Sequence, residues 1–303
     1  MRAGRLMSPT LAVALSTLFW GTAWYPMRVL QERGLDPDWA VVVMFGVLSL
    51  ALAPLIWRAR NRLAGHWRAL GWIGLTGGVA MTCYYLGVTI TTVARATLLF
   101  YLAPAWTTLI EFVALRRPVG LTRGLELALG FAGLLAILGP GGGGGGGANL
   151  GDLFALAAGA LFALSSFLIH RRPEPGALAC TWSWAVASAL SAWLAGALFN
   201  ADGLQRALAA PDSLTETFLP AAALGTLLFL PMNLLTLWGA ARLAPTRLML
   251  LLMCEVGIAF ASSAILADDP FGPRELLGCA LILSATLVEP LRQRLGASGH
   301  PSG

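Results

Sequence analysis

The chain has no lysine, only three histidines, and little charge of either sign: 20 arginines and 15 acidic residues among 303. Charged residues make up 12% of it, about half the ~25% of an ordinary globular domain. Hydrophobic residues make up 57% and the mean hydropathy is +0.73, more apolar surface than a soluble fold of this size could hide. A soluble domain is excluded, and a polytopic membrane protein remains. The net charge of +5 does not mark nucleic acid, because the arginines stand in short clusters between apolar runs. Cysteine is sparse too: Cys83, Cys180, Cys254 and Cys279 lie far apart inside apolar segments, without metal-ligand spacing. His66, His170 and His300 are expected in loops or the tail, and no nucleophile stands beside a base. The constellation of an intramembrane enzyme is therefore missing. Seven glycines, Gly141 to Gly147, are followed by Ala148-Asn149-Leu150 and not by the Lys-Ser/Thr of a phosphate loop. The expected partners are a lipid bilayer and a small solute, with no cofactor, metal or nucleic acid, for a chain acting as a monomer.

Long apolar runs are what the sequence does have. A membrane-spanning helix needs ~20 mostly apolar residues. Ten segments serve: Pro9–Leu30, Trp39–Trp57, Leu70–Thr91, Ala96–Leu115, Leu125–Leu138, Leu150–Ile169, Ala177–Phe199, Phe218–Ala241, Thr246–Leu266 and Glu275–Leu291. None alternates with a period of two, so helices are expected and a barrel is not. Arg2 and Arg5 before the first run resemble a signal peptide, but the run is long, lacks a cleavage site and ends at Arg28, which predicts a retained span. With the N-terminus in the cytoplasm, 15 of the 20 arginines fall on the cytoplasmic side. Only Arg28, Arg33, Arg95, Arg206 and Arg274 face the other way. That bias predicts ten spans with both termini inside.

The glycine run lies near the centre of the chain and has no side chains to pack. Residues 139–149 are therefore expected to be a linker between a first five-helix repeat, 1–138, and a second, 150–303. Five is odd, so the second half must enter the membrane with opposite polarity, an arrangement that recurs in secondary transporters. Tyr85-Leu86-Gly87 through Arg95 can be laid on Leu237-Trp238-Gly239 through Arg247 at an offset of 152. Leu18-Phe19-Trp20 falls on Ala160-Leu161-Phe162 only after a shift of about ten residues.

Ionisable groups at membrane depth cost at least ~2.5–3.5 kcal/mol and mark function by default. Glu255 stands nine residues into the ninth segment, roughly 13 Å at ~1.5 Å per residue and near the middle of a ~30 Å core. It is the candidate for meeting a substrate amine or exchanging a proton. Thr97, Tyr101, Pro104, Thr108 and Glu111 recur at helical spacing on one face of the fourth segment. Pro104 is placed to kink that helix, so the stripe is expected to line a cavity. Trp20, Tyr84, Tyr101 and Trp106 are too deep for the interface belt expected of Trp39, Trp57, Trp67 and Trp72. With Trp24, Ser165 and Asn233 they are the expected aromatic and hydrogen-bonding lining of that cavity. Glu111 is expected in an interfacial pair with Arg116 or Arg117; Arg95 and Arg247 are open to a carboxylate contact, with snorkelling anchors the favoured reading.

Phe19-Trp20-Gly21-Thr22, Tyr101-Leu102-Ala103-Pro104 and Glu255-Val256 together resemble the drug/metabolite transporter superfamily, in its EamA-type members. There a Trp-Gly/Ser motif opens each repeat and a Glu-Pro or similar motif sits in each fourth helix. Each half of this chain keeps one member of the pair, Pro104 in the first and Glu255 in the second. The resemblance implies an all-α membrane fold of ten helices in two inverted repeats, N-in and C-in. It also implies export of a small metabolite across the inner membrane, with amino acids prominent. The Tyr-Leu-x-Pro stretch is similar to the aromatic amino acid exporter branch. The substrate-binding candidates are then Trp20, Trp24, Tyr84, Tyr101, Trp106, Thr108, Ser165, Asn233 and Glu255, with Glu255 also the coupling residue. An uptake carrier, a channel or a drug-efflux protein of the same fold stays open, since nothing in the sequence sets the direction of transport.

Overall fold

A computed structural model describes residues 8–116, 120–138, 147–209 and 214–243. Within the C-terminal stretch it describes residues 251, 252, 255, 258, 259, 262, 265, 266, 272, 273, 276–278, 280, 281, 284, 285, 287, 288, 291 and 292. The glycines of 141–146, Arg117 and Arg247 lie outside the described residues.

Helix α1 (Pro9–Thr22) starts where the Ser8 hydroxyl accepts a hydrogen bond from Leu11 N at 3.1 Å, with proline in the first turn, where its missing N–H donor costs no intrahelical bond. It gives way to α2 (Trp24–Glu32) at Ala23, three residues before Pro26. Helices α3 (Pro37–Leu63) and α4 (Trp67–Ile90) follow as long spans. The fourth segment is two helices, α5 (Val93–Phe100) and α6 (Ala103–Leu115), parted by a turn at Tyr101-Leu102 directly before Pro104. The expected polar stripe is thus not on one continuous helix: Thr97 ends on α5, Tyr101 in the break, and Thr108 and Glu111 on α6. Next come α7 (Leu121–Leu138), α8 (Leu150–Arg171), α9 (Gly176–Phe199) and the short α10 (Gly203–Ala209). The run Leu214–Ala240 alternates π-helical turns (Leu214–Phe218, Leu224–Phe229) with α11 (Leu219–Ala223) and α12 (Leu230–Ala240). Each π turn ends two residues before a proline, Pro220 or Pro231, whose missing N–H disturbs the regular ladder. The described residues of 251–266 and 273–292 are helical as well.

Among the described residues, six helices are long and apolar enough to cross a membrane: Pro37–Leu63, Trp67–Ile90, Arg95–Ala114, Leu150–Arg171, Gly176–Phe199 and Leu214–Ala240. Apolar side chains also point outward; Leu50, Val113, Leu135 and Leu227 are 71–75% exposed, which suits lipid and not water. The interior is shared between the two halves of the chain. α4 packs on α8 and α9, α3 on α9, α1 on α12, and α5 and α6 on α8.

Two expectations about the ends of helices are corrected. Arg95 does not snorkel. It is 2% exposed, and its guanidinium forks onto Asp152, Nε to Oδ1 at 3.1 Å and Nη2 to Oδ2 at 2.6 Å. Asp152 also accepts from Thr91 Oγ1 at 3.0 Å and from Asn149 N at 2.9 Å, completing the capping box that starts α8. Helix packing keeps water from the guanidinium, and the carboxylate takes water's place. Trp39 is likewise no belt residue; it is buried beside Gly196, and its indole donates to Asn200 O at 3.1 Å.

Candidate functional site

The break before Pro104 sets Phe100, Tyr101 and Ala103 into the interior, where side chains from both halves meet them. Trp20 of α1, Phe162 of α8, Thr236 of α12, Leu252 and Glu255 complete the wall of a void of about 10 Å³. That is the room of about one water, so the site is closed around itself. Trp20 Nε1 donates to Thr236 Oγ1 at 3.0 Å, and Thr236 in turn donates to Met232 O at 2.9 Å.

Glu255 is 3% exposed. The Tyr101 hydroxyl lies 2.5 Å from Leu252 O and 2.8 Å from Glu255 Oε2. One hydroxyl hydrogen cannot serve two acceptors. Both bonds form when Tyr101 donates to the Leu252 carbonyl and a protonated Glu255 donates to Tyr101. The other carboxyl oxygen, Oε1, has no hydrogen-bond partner among the described residues. Glu255 is also close enough to Tyr84 and Tyr85 to act on both electrostatically.

Two glycines allow the backbones to close on this site. A Cβ on Gly159 would stand 2.6 Å from Phe100 O, and one on Gly21 3.0 Å from Glu255 O. The Phe100 carbonyl belongs to backbone and cannot swing aside. Gly159→Ala should therefore force α5 and α8 apart at a cost of about 1–3 kcal/mol, read as a lower unfolding midpoint in detergent. An unchanged midpoint would mean that the two helices separate freely here.

Of the residues expected to line a site, the structure brings Trp20, Tyr101 and Glu255 to the void itself. Tyr84 is buried beside it, its ring 5.1 Å from that of Phe100 and its hydroxyl 3.4 Å from Thr97 Oγ1. Asn233 is buried one turn before Thr236 and donates Nδ2–H to Phe229 O at 2.8 Å. Trp24 lies further along, donating to Ser262 Oγ at 2.9 Å. Trp106 and Thr108 sit on α6 beyond the void. Ser165 is a packing residue instead: it donates to Ile73 O at 3.0 Å and accepts from Trp184 Nε1 at 3.1 Å, joining α8 to α4 and α9. His170 falls in the last turn of α8 and not in a loop. Phe100, Phe162, Thr236 and Leu252 escaped notice in the sequence because apolar and threonine residues abound in every span. Phe162 falls on Trp20 in the internal alignment only after a shift of about ten residues, a match no better than chance.

Residues 7–139 match the family model of the EamA-like transporter family. Among solved structures, one titled only "Crystal structure of protein" is 18% identical, with a TM-score of 0.64 over 97% of this chain and 99% of that one. At that identity the likeness is one of fold. No curated protein matches the sequence.

Proposed function

We propose that the chain, whose residues 7–139 match the family model of the EamA-like transporter family, exports a small metabolite, an aromatic or other neutral amino acid, across the inner membrane. The family match supports a multi-pass membrane transporter of the drug/metabolite superfamily. The substrate, the direction, the proton coupling and action as a monomer are our reading. A single observation carries it: a buried carboxyl, Glu255, faces a closed void walled by both halves of the chain. An ammonium group can take the place of the proton on Glu255, which links solute movement to proton movement. Trp20, Phe100, Tyr101 and Phe162 offer ring faces and edges to a flat apolar side chain.

Ten spans in two inverted repeats suit the packing. Exchanging the halves turns the α4–α8 pair into the pair made by α12 and α1, and both pairs are in contact. The same exchange relates Gly159 against the Phe100 backbone to Gly21 against the Glu255 backbone. The α1–α2 pair, α7 and the two C-terminal helical stretches bring the six long spans to ten.

Purified protein in proteoliposomes, offered a panel of labelled amino acids, tests the reading. Accumulation of at least one aromatic or neutral amino acid, lost when a protonophore collapses the pH gradient, is the expected result. No transport of any of them by intact protein overturns the substrate assignment. Counterflow separates a carrier from a channel.

A further inference from the structure

Five buried side-chain polar atoms lack a hydrogen-bond partner among the described residues: Tyr85 Oη, Trp106 Nε1, Thr181 Oγ1, Asn233 Oδ1 and Glu255 Oε1. Roughly 90% or more of buried polar groups are paired, and leaving one unpaired costs about 1–3 kcal/mol. Two of the five, Tyr85 Oη and Asn233 Oδ1, belong to residues that touch Phe229. Its ring meets that of Tyr85 edge-on, with centroids 5.3 Å apart. Its carbonyl accepts from Asn233 Nδ2, which identifies the unpartnered atom as the acceptor Oδ1. Glu255 interacts electrostatically with the Tyr85 hydroxyl. Three different spans thus bring one donor and two acceptors to the region beside the void. The neighbouring Tyr84, although picked out by the sequence, has its hydroxyl on Thr97.

We propose that Tyr85, Asn233 and Glu255 form a head-group site for zwitterionic α-amino acids. Tyr85 Oη donates to the carboxylate, while Asn233 Oδ1 and Glu255 Oε1 accept from the ammonium. The inference rests on the transporter reading and narrows it to a pose. On binding, the proton on Glu255 passes to water admitted as the helices part, and the ammonium charge replaces it. An amine without a carboxylate leaves the Tyr85 hydroxyl unpaired. An acid without an ammonium leaves both acceptors unpaired, and nothing replaces the proton on Glu255. Because the void holds about one water, the head group enters only when the surrounding helices part.

The test uses full-length protein in detergent and measures displacement of labelled phenylalanine by phenylalanine, phenethylamine and 3-phenylpropionate, with uptake measured in parallel in proteoliposomes. Phenylalanine should bind at least tenfold tighter than either analogue. Tyr85→Phe should weaken phenylalanine about tenfold and leave phenethylamine unchanged, so that the preference over the amine disappears. Asn233→Leu should weaken phenylalanine and phenethylamine alike. Thr181→Val, which removes an equally buried hydroxyl from α9 away from the void, should change neither. Equal binding of phenylalanine and phenethylamine, equal weakening of both by Tyr85→Phe, or no binding of any of the three overturns the proposal. Zwitterion-selective binding without transport would leave the head-group site standing and remove the transporter reading. Transport of another solute without that selectivity would do the reverse.

Discussion

Glu255→Gln is expected to reduce pH-driven uptake to background while leaving the unfolding midpoint unchanged. Glutamine has the shape of the protonated acid, and its amide N–H can donate to Tyr101 Oη as the carboxyl does across 2.8 Å. The closed arrangement around Leu252 O and Tyr101 is therefore kept. What is lost is the ability to carry a negative charge when an ammonium arrives and to exchange a proton for it. A hydrogen bond to a charged group contributes about 1.5–3 kcal/mol, so binding alone should weaken roughly tenfold to a hundredfold, and coupling should vanish. Initial rates of uptake at several external pH values, with the unfolding midpoint in the same detergent, check both halves of the prediction. Unaltered pH dependence removes Glu255 from the mechanism. A collapsed midpoint would instead assign Glu255 to the fold.

The largest effect on stability is expected from Arg95→Ala. The partners Arg95 and Asp152 are 2% and 3% exposed, and removing one strands the other as a buried uncompensated charge. Such a loss costs about 3–5 kcal/mol. Asp152→Ala should cost at least as much, because it also removes the acceptor for Asn149 N at the start of α8. Arg95→Lys should rescue only part of the loss, since an ammonium cannot reproduce the two-pronged contact. Replacing both partners, Arg95→Met with Asp152→Leu, should recover more than either single variant because no unpaired charge remains. Denaturant titration of the purified protein measures each. A midpoint for Arg95→Ala within error of the parent would mean that the guanidinium reaches water after all, as the sequence alone suggested.

Part of this site was legible in the chain. The depth of Glu255 follows from counting residues into an apolar run, and the break at Tyr101-Leu102 follows from Pro104, whose missing N–H acts on its own helix. Trp20 and Tyr101 stood out because large amphipathic rings far from a helix end need an interior reason. Ser165 stood out on the same kind of argument and is used in packing, because serine at membrane depth serves helix contacts as readily as ligands. The choice between Tyr84 and Tyr85 could not be made from sequence. Neighbouring residues on a helix point about 100° apart, and which direction holds Thr97 and which holds Phe229 depends on the surrounding helices.

The sequence by itself determined the membrane class, the course of the long helices and the depth of the one carboxyl beside the void. Those are properties of single segments, set by hydropathy, proline and a rise of ~1.5 Å per residue. Only the tertiary structure decided that Tyr101 meets Glu255 across 154 residues, that Arg95 has Asp152 as its partner, and that Tyr85 and Asn233 keep unpaired atoms. In a bilayer every span is nearly as apolar as its neighbours and the lipid, so hydropathy does not select which helices touch. Side-chain fit and a few polar contacts make that selection, and they exist only once the helices have packed.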